Sequence, residues 1–426
     1  MAPVSQKHGT VSQKHGTDFT LYREAFTGVE TTPGQSSTPL WATLFDGDCE
    51  IHAPLSLPAL MAIPNRRGVF LLEGSGGEPI LLASAASVRT RMRSKLTAPE
   101  NPDQPSRQAD LRTISSRLRW KLSDSHFEAL WHYWQLSRVI YPKTYRELLN
   151  LQGAWFLQVD VAAAAPFLSR TQDVTRGGRY LGPFMTGRSA QKFLEMLEDA
   201  FDLCRCLDEL RAAPHGRGCV YRQLGRCPGP CQGLISIEEY RRTVTQACDF
   251  AAGRRADVRG EMDGRMRELA AQQRYEEAAN LKARLKRLDE FDKPEYAHVA
   301  PLETFRFLYV HPGPRRSVKV FFIDRGEIQL GVTLAWPAEQ AAVEQLLLAG
   351  NMFFAQPRPI DAARQEGLSL VSHYLFYPDE RSGLALRWQA ALTAAEVVQA
   401  IDHSAEKLKL TKKPKDDKPQ ALQPGE

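Results

Sequence analysis

The 426-residue sequence has no apolar run approaching the roughly eighteen residues of a membrane-spanning helix, and its polar N-terminus lacks an apolar signal core. Neither a membrane span nor secretion is expected. Cysteine is scarce and odd in number, at seven, which argues against a disulfide framework and fits a reducing cytoplasm where thiols stay free for metal. Neither sign of charge dominates: 55 Lys and Arg against 50 Asp and Glu leave a formal charge of +5. That excess permits contact with a polyanion without requiring it. What is present is 43% hydrophobic and 25% charged residues, in a chain long enough for two or three domains with their own cores.

Four cysteines, Cys206, Cys219, Cys227 and Cys231, lie in or just before the stretch CVYRQLGRCPGPCQGLISIEEY. Thiolates gathered this closely are the ligand set of a structural metal or an iron–sulfur cluster, and spacing alone permits zinc equally. Cys227 and Cys231, separated by two prolines and a glycine, lie on a tight turn that can aim both sulfurs at one ion. Cys204 is a spare candidate for the first ligand. The competing reading is a cluster of buried or free thiols.

VSQKHGT occurs twice in tandem, at 4–10 and 11–17, ahead of a Thr-, Ser- and Gly-rich stretch. One Val per seven residues cannot make a two-position apolar seam, so this reads as a disordered leader and not as a coiled coil. The Lys-rich, Pro-broken C-terminal end reads as a flexible basic tail. Arg67 to Leu72, then Gly74, Gly76 and Gly77, then Pro79 to Leu82, predict strand, glycine turn, strand. Ser87 is placed to cap a helix carrying Arg89, Arg91 and Arg93, and Ser125 to Arg138 predicts a second helix with Phe127, Leu130, Trp131 and Trp134 on its apolar face. Glu128 and His132 on that helix have the spacing of a two-ligand metal site, although such pairs are more often surface contacts.

From Glu261 to Phe291, apolar residues at Met262, Met266 and Leu269, then at Tyr275, Ala278, Ala279, Leu281, Leu285 and Leu288, predict two short amphipathic helices broken at Gln272 to Arg274. The small Ala278 and Ala279 allow close approach by a partner helix pair. After Pro294, the runs FRFLYV, SVKVFFI and EIQLGVTL, split by turn residues, predict a β-meander. Helices over 338–354 and 393–408 would complete a small α+β domain. Asp324, Glu327, Asp361, Asp379 and Glu380 sit mainly at turns and form no spaced metal cluster.

The run from FDLCRC through RQLGRCPGPCQGLISIEEYRR resembles the linker of UvrC, the nuclease subunit of bacterial nucleotide excision repair, and RYLGPFMTGRSAQKFLEMLEDAF resembles the segment upstream of it. The resemblance implies an iron–sulfur cluster, of the 4Fe–4S type, on Cys206, Cys219, Cys227 and Cys231. The two hairpin strands and two helices resemble the GIY-YIG nuclease domain at the front of UvrC. Carried over position by position, Phe70 and Leu81 stand where that family has its two tyrosines, Ala83 at a glycine, Ser84 at a lysine, Arg91 at the catalytic arginine and Tyr133 at the metal-binding glutamate. The family's chemistry uses a divalent metal on that glutamate, a tyrosine that helps deprotonate water, and cations facing the phosphorane. Phe70 and Leu81 have no hydroxyl, and a neutral Tyr133 is a poor ligand for a hard cation, so catalytic magnesium is not expected. Glu128 cannot simply substitute, since five residues place it about 140° around the helix from Tyr133. An electrostatic clamp at Arg91, with Ser84 a further phosphate-binding candidate, could hold DNA without cutting it. The predicted helical hairpin resembles the UVR motif of UvrB and UvrC. That implies docking to a UvrB-type partner through Tyr275, Glu276, Ala278, Ala279, Leu281 and Leu285, or pairing with a second copy.

The expected architecture is α+β. It comprises a leader over 1–58, a degenerate GIY-YIG-like domain over 59–150, a cysteine-rich linker over 151–250 and a UVR-like hairpin over 251–292. An α+β domain over 293–405 and a basic tail over 406–426 follow. The sequence ends where the resemblance would place an RNase H-type second nuclease domain, so that domain is expected to be missing. The expected function is that of a cytoplasmic, UvrC-like DNA-binding accessory protein of excision repair, without its own incision activity. A structure-specific endonuclease with relocated catalytic residues is the alternative.

Overall fold

The computed structural model describes residues 40–52, 55–96, 111–149, 151–356, 359–376, 381 and 383–411. The tandem VSQKHGT, the leader before residue 40, the tail beyond 411, and Asp379 and Glu380 lie outside the described residues. The chain divides into two compact units, Met1–Asn150 and Leu151–Glu426.

In the first unit, β1 (Gly47–Glu50), β2 (Gly68–Glu73), β3 (Pro79–Ala85) and β4 (Arg117–Leu122) form an antiparallel sheet in the order β1-β4-β2-β3. Every residue of β2 is buried, as expected of a central strand with both faces covered. Strand alternation turns Phe70 and Leu72 to one face, where they pack with Leu118, Ala85 and residues Val88, Met92 and Leu96 of α2 (Val88–Leu96). Leu60 of α1 (Leu57–Ala62) joins that core. After the short α3 (Leu111–Ile114), the long helix α4 (His126–Ile140) packs on β2 and β3, and the short α5 (Tyr145–Leu148) follows.

One expectation is corrected here. Residues 47–50, assigned to the leader, are a strand, because β4 offers them a partner edge and cations. Lys121 Nζ lies 2.6 Å from Asp46, and Arg117 pairs with Asp48. β4 itself, RLRWKL, alternates charged with apolar residues, and its charges are matched by Asp46, Asp48 and Glu73.

The second unit begins with a sheet in the order β6-β5-β7-β8, made from β5 (Trp155–Val159), β6 (Ser169–Thr171), β7 (Arg179–Phe184) and the late β8 (Ala300–Pro301). α6 (Gly187–Phe201) starts at a capping box of Thr186 and Ser189 and buries Phe193, Leu194 and Leu197. Two short helices, α7 (Leu207–Arg211) and α8 (Val220–Gln223), carry the cysteine loops, and α9 (Ile237–Ala251) opens on a second capping box, Ser236 with Glu239. α10 (Arg255–Ala271) and α11 (Tyr275–Arg287) form the helical hairpin, with Gln273 at φ 60 in its turn. Phe193 stands at the centre of an aromatic cluster, its ring 5.1 Å from Phe184, 5.0 Å from Phe291 and 4.9 Å from Tyr296.

The last sheet has the order β11-β10-β9-β12, from β9 (Arg306–Pro312), β10 (Ser317–Asp324), β11 (Glu327–Ala335) and β12 (Leu384–Arg387). α12 (Gln340–Phe354) and α14 (Ala394–His403) cover the face that carries Val310, Val320 and Phe322. A further helix, α13 (Ala362–Leu375), was not anticipated; nine of its residues are buried, so its amphipathic contrast is weak. It ties the last sheet to the middle one, since Ser369 Oγ accepts a bond of 3.1 Å from the Ala154 backbone N–H.

Candidate metal centre

The cysteines are placed by helix ends and glycine turns. α6 stops at Asp202, which adopts a left-handed conformation, and the chain runs through Cys204 to Cys206 and Cys219, which sit at the N-cap positions of α7 and α8. Cys231 rides on a 3-10 turn, Pro230–Gln232, entered through Gly229 at φ 79. Any β-carbon at Gly229 would also fall 2.8 Å from Leu234 and 3.0 Å from Arg222, so only glycine fits there. Gly216 is constrained by contact: its N–H donates to the Cys231 carbonyl at 2.8 Å, and a side chain there would press on Glu209 and Cys231.

These turns draw five thiols together, all free of disulfides. Cys204 hydrogen bonds with Cys227, Cys206 with Cys219, and Cys231 feels the charges of Cys227 and Cys219. The hydrogen bond from Cys204 holds the Cys227 thiol well below its ordinary range, with the Arg222 and Arg205 cations adding to the effect. The same bond, and then burial, push Cys204 far up, and burial first pushes Cys206 up to about 11. Cys227 is therefore the more acidic partner beside Cys204. The donor set is soft sulfur and suits a soft metal or an iron–sulfur cluster. No three His, Cys, Asp or Glu side chains among the described residues converge into a group that could hold a metal. Cys204 Sγ donates to the Cys206 carbonyl at 3.6 Å.

Several supporting residues escaped the sequence reading. Cys204, a spare candidate by spacing, is the direct partner of Cys227, and its backbone N–H donates to the buried Tyr240 hydroxyl at 2.8 Å. Arg205 lies 4.6 Å over the Tyr221 ring and reaches Glu198 at 3.2 Å and Asp199 at 2.5 Å. Burial pushes the Glu198 carboxyl up to about 7 against the pull of Arg205. The doublet LCRC and the Tyr closing ISIEEY were the available signals.

The nuclease-like positions are not gathered into a site. Phe70 is wholly buried opposite Ala83, and Leu81, opposite Leu72, packs into the same core. Ser84 pairs with Val69, and the half-buried Arg91 lies on α2, where its charge lowers the pKa of Lys95 after burial has done so. Tyr133 is on α4, which covers the opposite face, and its hydroxyl donates to the Leu82 carbonyl at 2.9 Å. Glu128 and His132, expected more often as surface contacts, are both buried: Glu128 accepts the Asp124 N–H at 2.6 Å and lies 3.7 Å from His132 Nε2. The hairpin positions divide likewise. Tyr275, Glu276 and Ala279 are exposed, whereas Ala278 is buried and Leu281 and Leu285 pack inward on the core of this unit. Arg284, paired with Asp202, and Arg287, bonded to the Asp199 carbonyl at 2.8 Å, tie α11 to the end of α6.

Residues 154–250 match the UvrC/Cho excinuclease middle domain. The chain is similar to UvrABC system protein C of Moorella thermoacetica, with 27% identity over 271 residues covering 63% of this chain and 43% of that protein. It is similar also to UvrABC system protein C of Acetivibrio thermocellus (25% over 272 residues, 63% and 43%) and of Anaeromyxobacter dehalogenans (30% over 230 residues, 53% and 32%). The chain spans less than half the length of these relatives. No solved structure matches it. The middle-domain match takes in β5, β7, α6 and all five paired or coupled cysteines, and on that ground the chain is a UvrC-like protein.

Proposed function

We propose that this protein binds DNA as a UvrC-like component of nucleotide excision repair and that its first unit does not cut. The observation that carries the reading is the match of residues 154–250 to the UvrC/Cho middle domain, with Cys204, Cys206, Cys219, Cys227 and Cys231 inside it. Cys206, Cys219, Cys227 and Cys231 would hold an iron–sulfur cluster, or zinc, with Cys204 hydrogen bonded beside them. When bound, such a group cross-links the three loops and fixes their surface. Arg205 and Tyr240 support the loops from behind, the first by stacking on Tyr221 and the second by accepting the Cys204 N–H.

The first unit supports a holding role. Its β-hairpin and two helices support the likeness to a GIY-YIG domain, but Phe70, Leu81 and Tyr133 offer neither a water-activating hydroxyl in the open nor a carboxylate for magnesium. The hairpin of α10 and α11 supports docking to a UvrB-type partner, or to a second copy, through its exposed Tyr275, Glu276 and Ala279. The test is DNA binding across a salt series, with incision of damaged, nicked and plain duplex scored in Mg²⁺ and Mn²⁺. Salt-sensitive binding without incision is expected. Cleavage that disappears in Arg91→Ala would overturn the non-cutting reading, and an absence of binding would overturn the DNA reading.

A further inference from the structure

The outer surface of the cysteine loops presents apolar side chains to solvent. Leu224 is 65% exposed, Val220 56% and Leu234 55%. Val220 opens α8 and Leu224, four residues on, caps its C-terminal end. Gly225 follows at φ 69 with no atom within 4 Å of where its β-carbon would be, so the tip beside Leu224 is open. Leu234 and Arg222 meet over Gly229.

Arginine predominates along the adjoining chain, with Glu209 beside it accepting the Arg217 backbone N–H at 2.6 Å. From Ala212 to Ser236 the chain carries Arg217, Arg222 and Arg226 and no Asp or Glu. Arg226 has an exposed contact with Asp199 at 3.4 Å. No ion pair holds the Arg217 or Arg222 guanidinium among the described residues, and the buried Arg222 Nε has no hydrogen-bond partner. An open apolar tip with arginines beside it projects from this surface. It has the form of the wedges that enter a base step while basic residues hold the flanking phosphates.

We propose that Leu224, backed by Val220 and Leu234, is a wedge that enters a weakened base step of duplex DNA, with Arg217, Arg222 and Arg226 on the adjoining phosphates. This rests on the DNA-binding reading above and assigns it a surface. Insertion costs unstacking, which is smallest where pairing is already disturbed, so a mismatched duplex is preferred over an intact one.

The test uses the full chain with intact and mismatched duplexes, anisotropy across a salt series, and 2-aminopurine beside the mismatch to report unstacking. Leu224→Ala is expected to cut the preference for mismatched duplex by about tenfold and to abolish the 2-aminopurine change, leaving the salt slope unaltered. Arg217→Gln and Arg222→Gln should each weaken both duplexes alike and lower the salt slope by about 1. Leu224 and Arg217 are exposed, so circular dichroism of those two variants should match wild type. Unchanged mismatch preference in Leu224→Ala, with DNA binding intact, overturns the wedge and leaves the DNA reading standing. Failure of wild type to bind either duplex overturns both. Tighter binding of polyglutamate than of duplex, dependent on the same arginines, would assign the surface to an acidic protein and also overturn the wedge.

Discussion

The sheet of the first unit and the cysteine loops of the second both lie in segments that resemble UvrC, yet they treat reactive atoms in opposite ways. In the sheet, positions of a nuclease signature are filled by side chains that pack. Phe70 is sealed under α2, Leu81 lies in the same core, and Tyr133 gives its hydroxyl to the Leu82 carbonyl across the sheet. In the loops, five thiols stand at caps and beside glycine turns, with Tyr240 bonded to the Cys204 backbone. In the first unit these positions serve the core, whereas in the second the local structure bends around its cysteines.

The largest effect should come from the core beneath the loops. Phe193→Ala removes a fully buried ring from contact with Phe184, Phe291 and Tyr296, and urea unfolding should show a loss of about 3–5 kcal/mol. Next, Phe70→Tyr returns the hydroxyl that the nuclease signature carries, but into a fully buried site. It should cost about 1–3 kcal/mol and confer no Mg²⁺-dependent cleavage; a gain of cleavage would break the comparison.

Glu198 gives a pH test of the loop support. Its folded carboxyl is pushed up to about 7 from the ordinary 4.5, so the folded protein holds a proton that the unfolded chain releases earlier. The resulting stability is fully present below 4.5 and is lost as pH rises through about 7, by roughly 1–3 kcal/mol. Thermal melts of Glu198→Gln should lack that slope. The smallest effect is expected at the hairpin: Tyr275→Ala, at a side chain 66% exposed, should alter stability by less than about 0.5 kcal/mol while weakening capture of a UvrB-type helical hairpin in a binding assay.

Much of the fold was legible wherever pattern and turn chemistry agreed. The glycine-turn hairpin appears as β2 and β3, Ser87 does cap its helix through Thr90 N–H at 3.1 Å, and the break at Gln272 to Arg274 separates α10 from α11. The meander appears as β9, β10 and β11. What escaped were elements stabilised by partners distant in sequence. β4 depends on carboxylates of β1 and β2, and β12 is a short strand paired, among the described residues, with β9. The six-residue extension of α10 before Glu261 rests on Val258 in the core and on Arg259 bonding to the Leu288 carbonyl. At the site, spacing singled out the cysteines but could not rank Cys204 against Cys206, because the nearness of Cys204 to Cys227 depends on the path from α6 to the Pro230 turn.

The most direct measurement is iron, sulfide and zinc analysis with a visible spectrum of protein purified without oxygen, compared with Cys227→Ser and Cys231→Ser. Stoichiometric metal with a thiolate charge-transfer band, lost in both variants, is the predicted result. Metal-free wild-type protein, folded and as stable as the variants, would contradict the account.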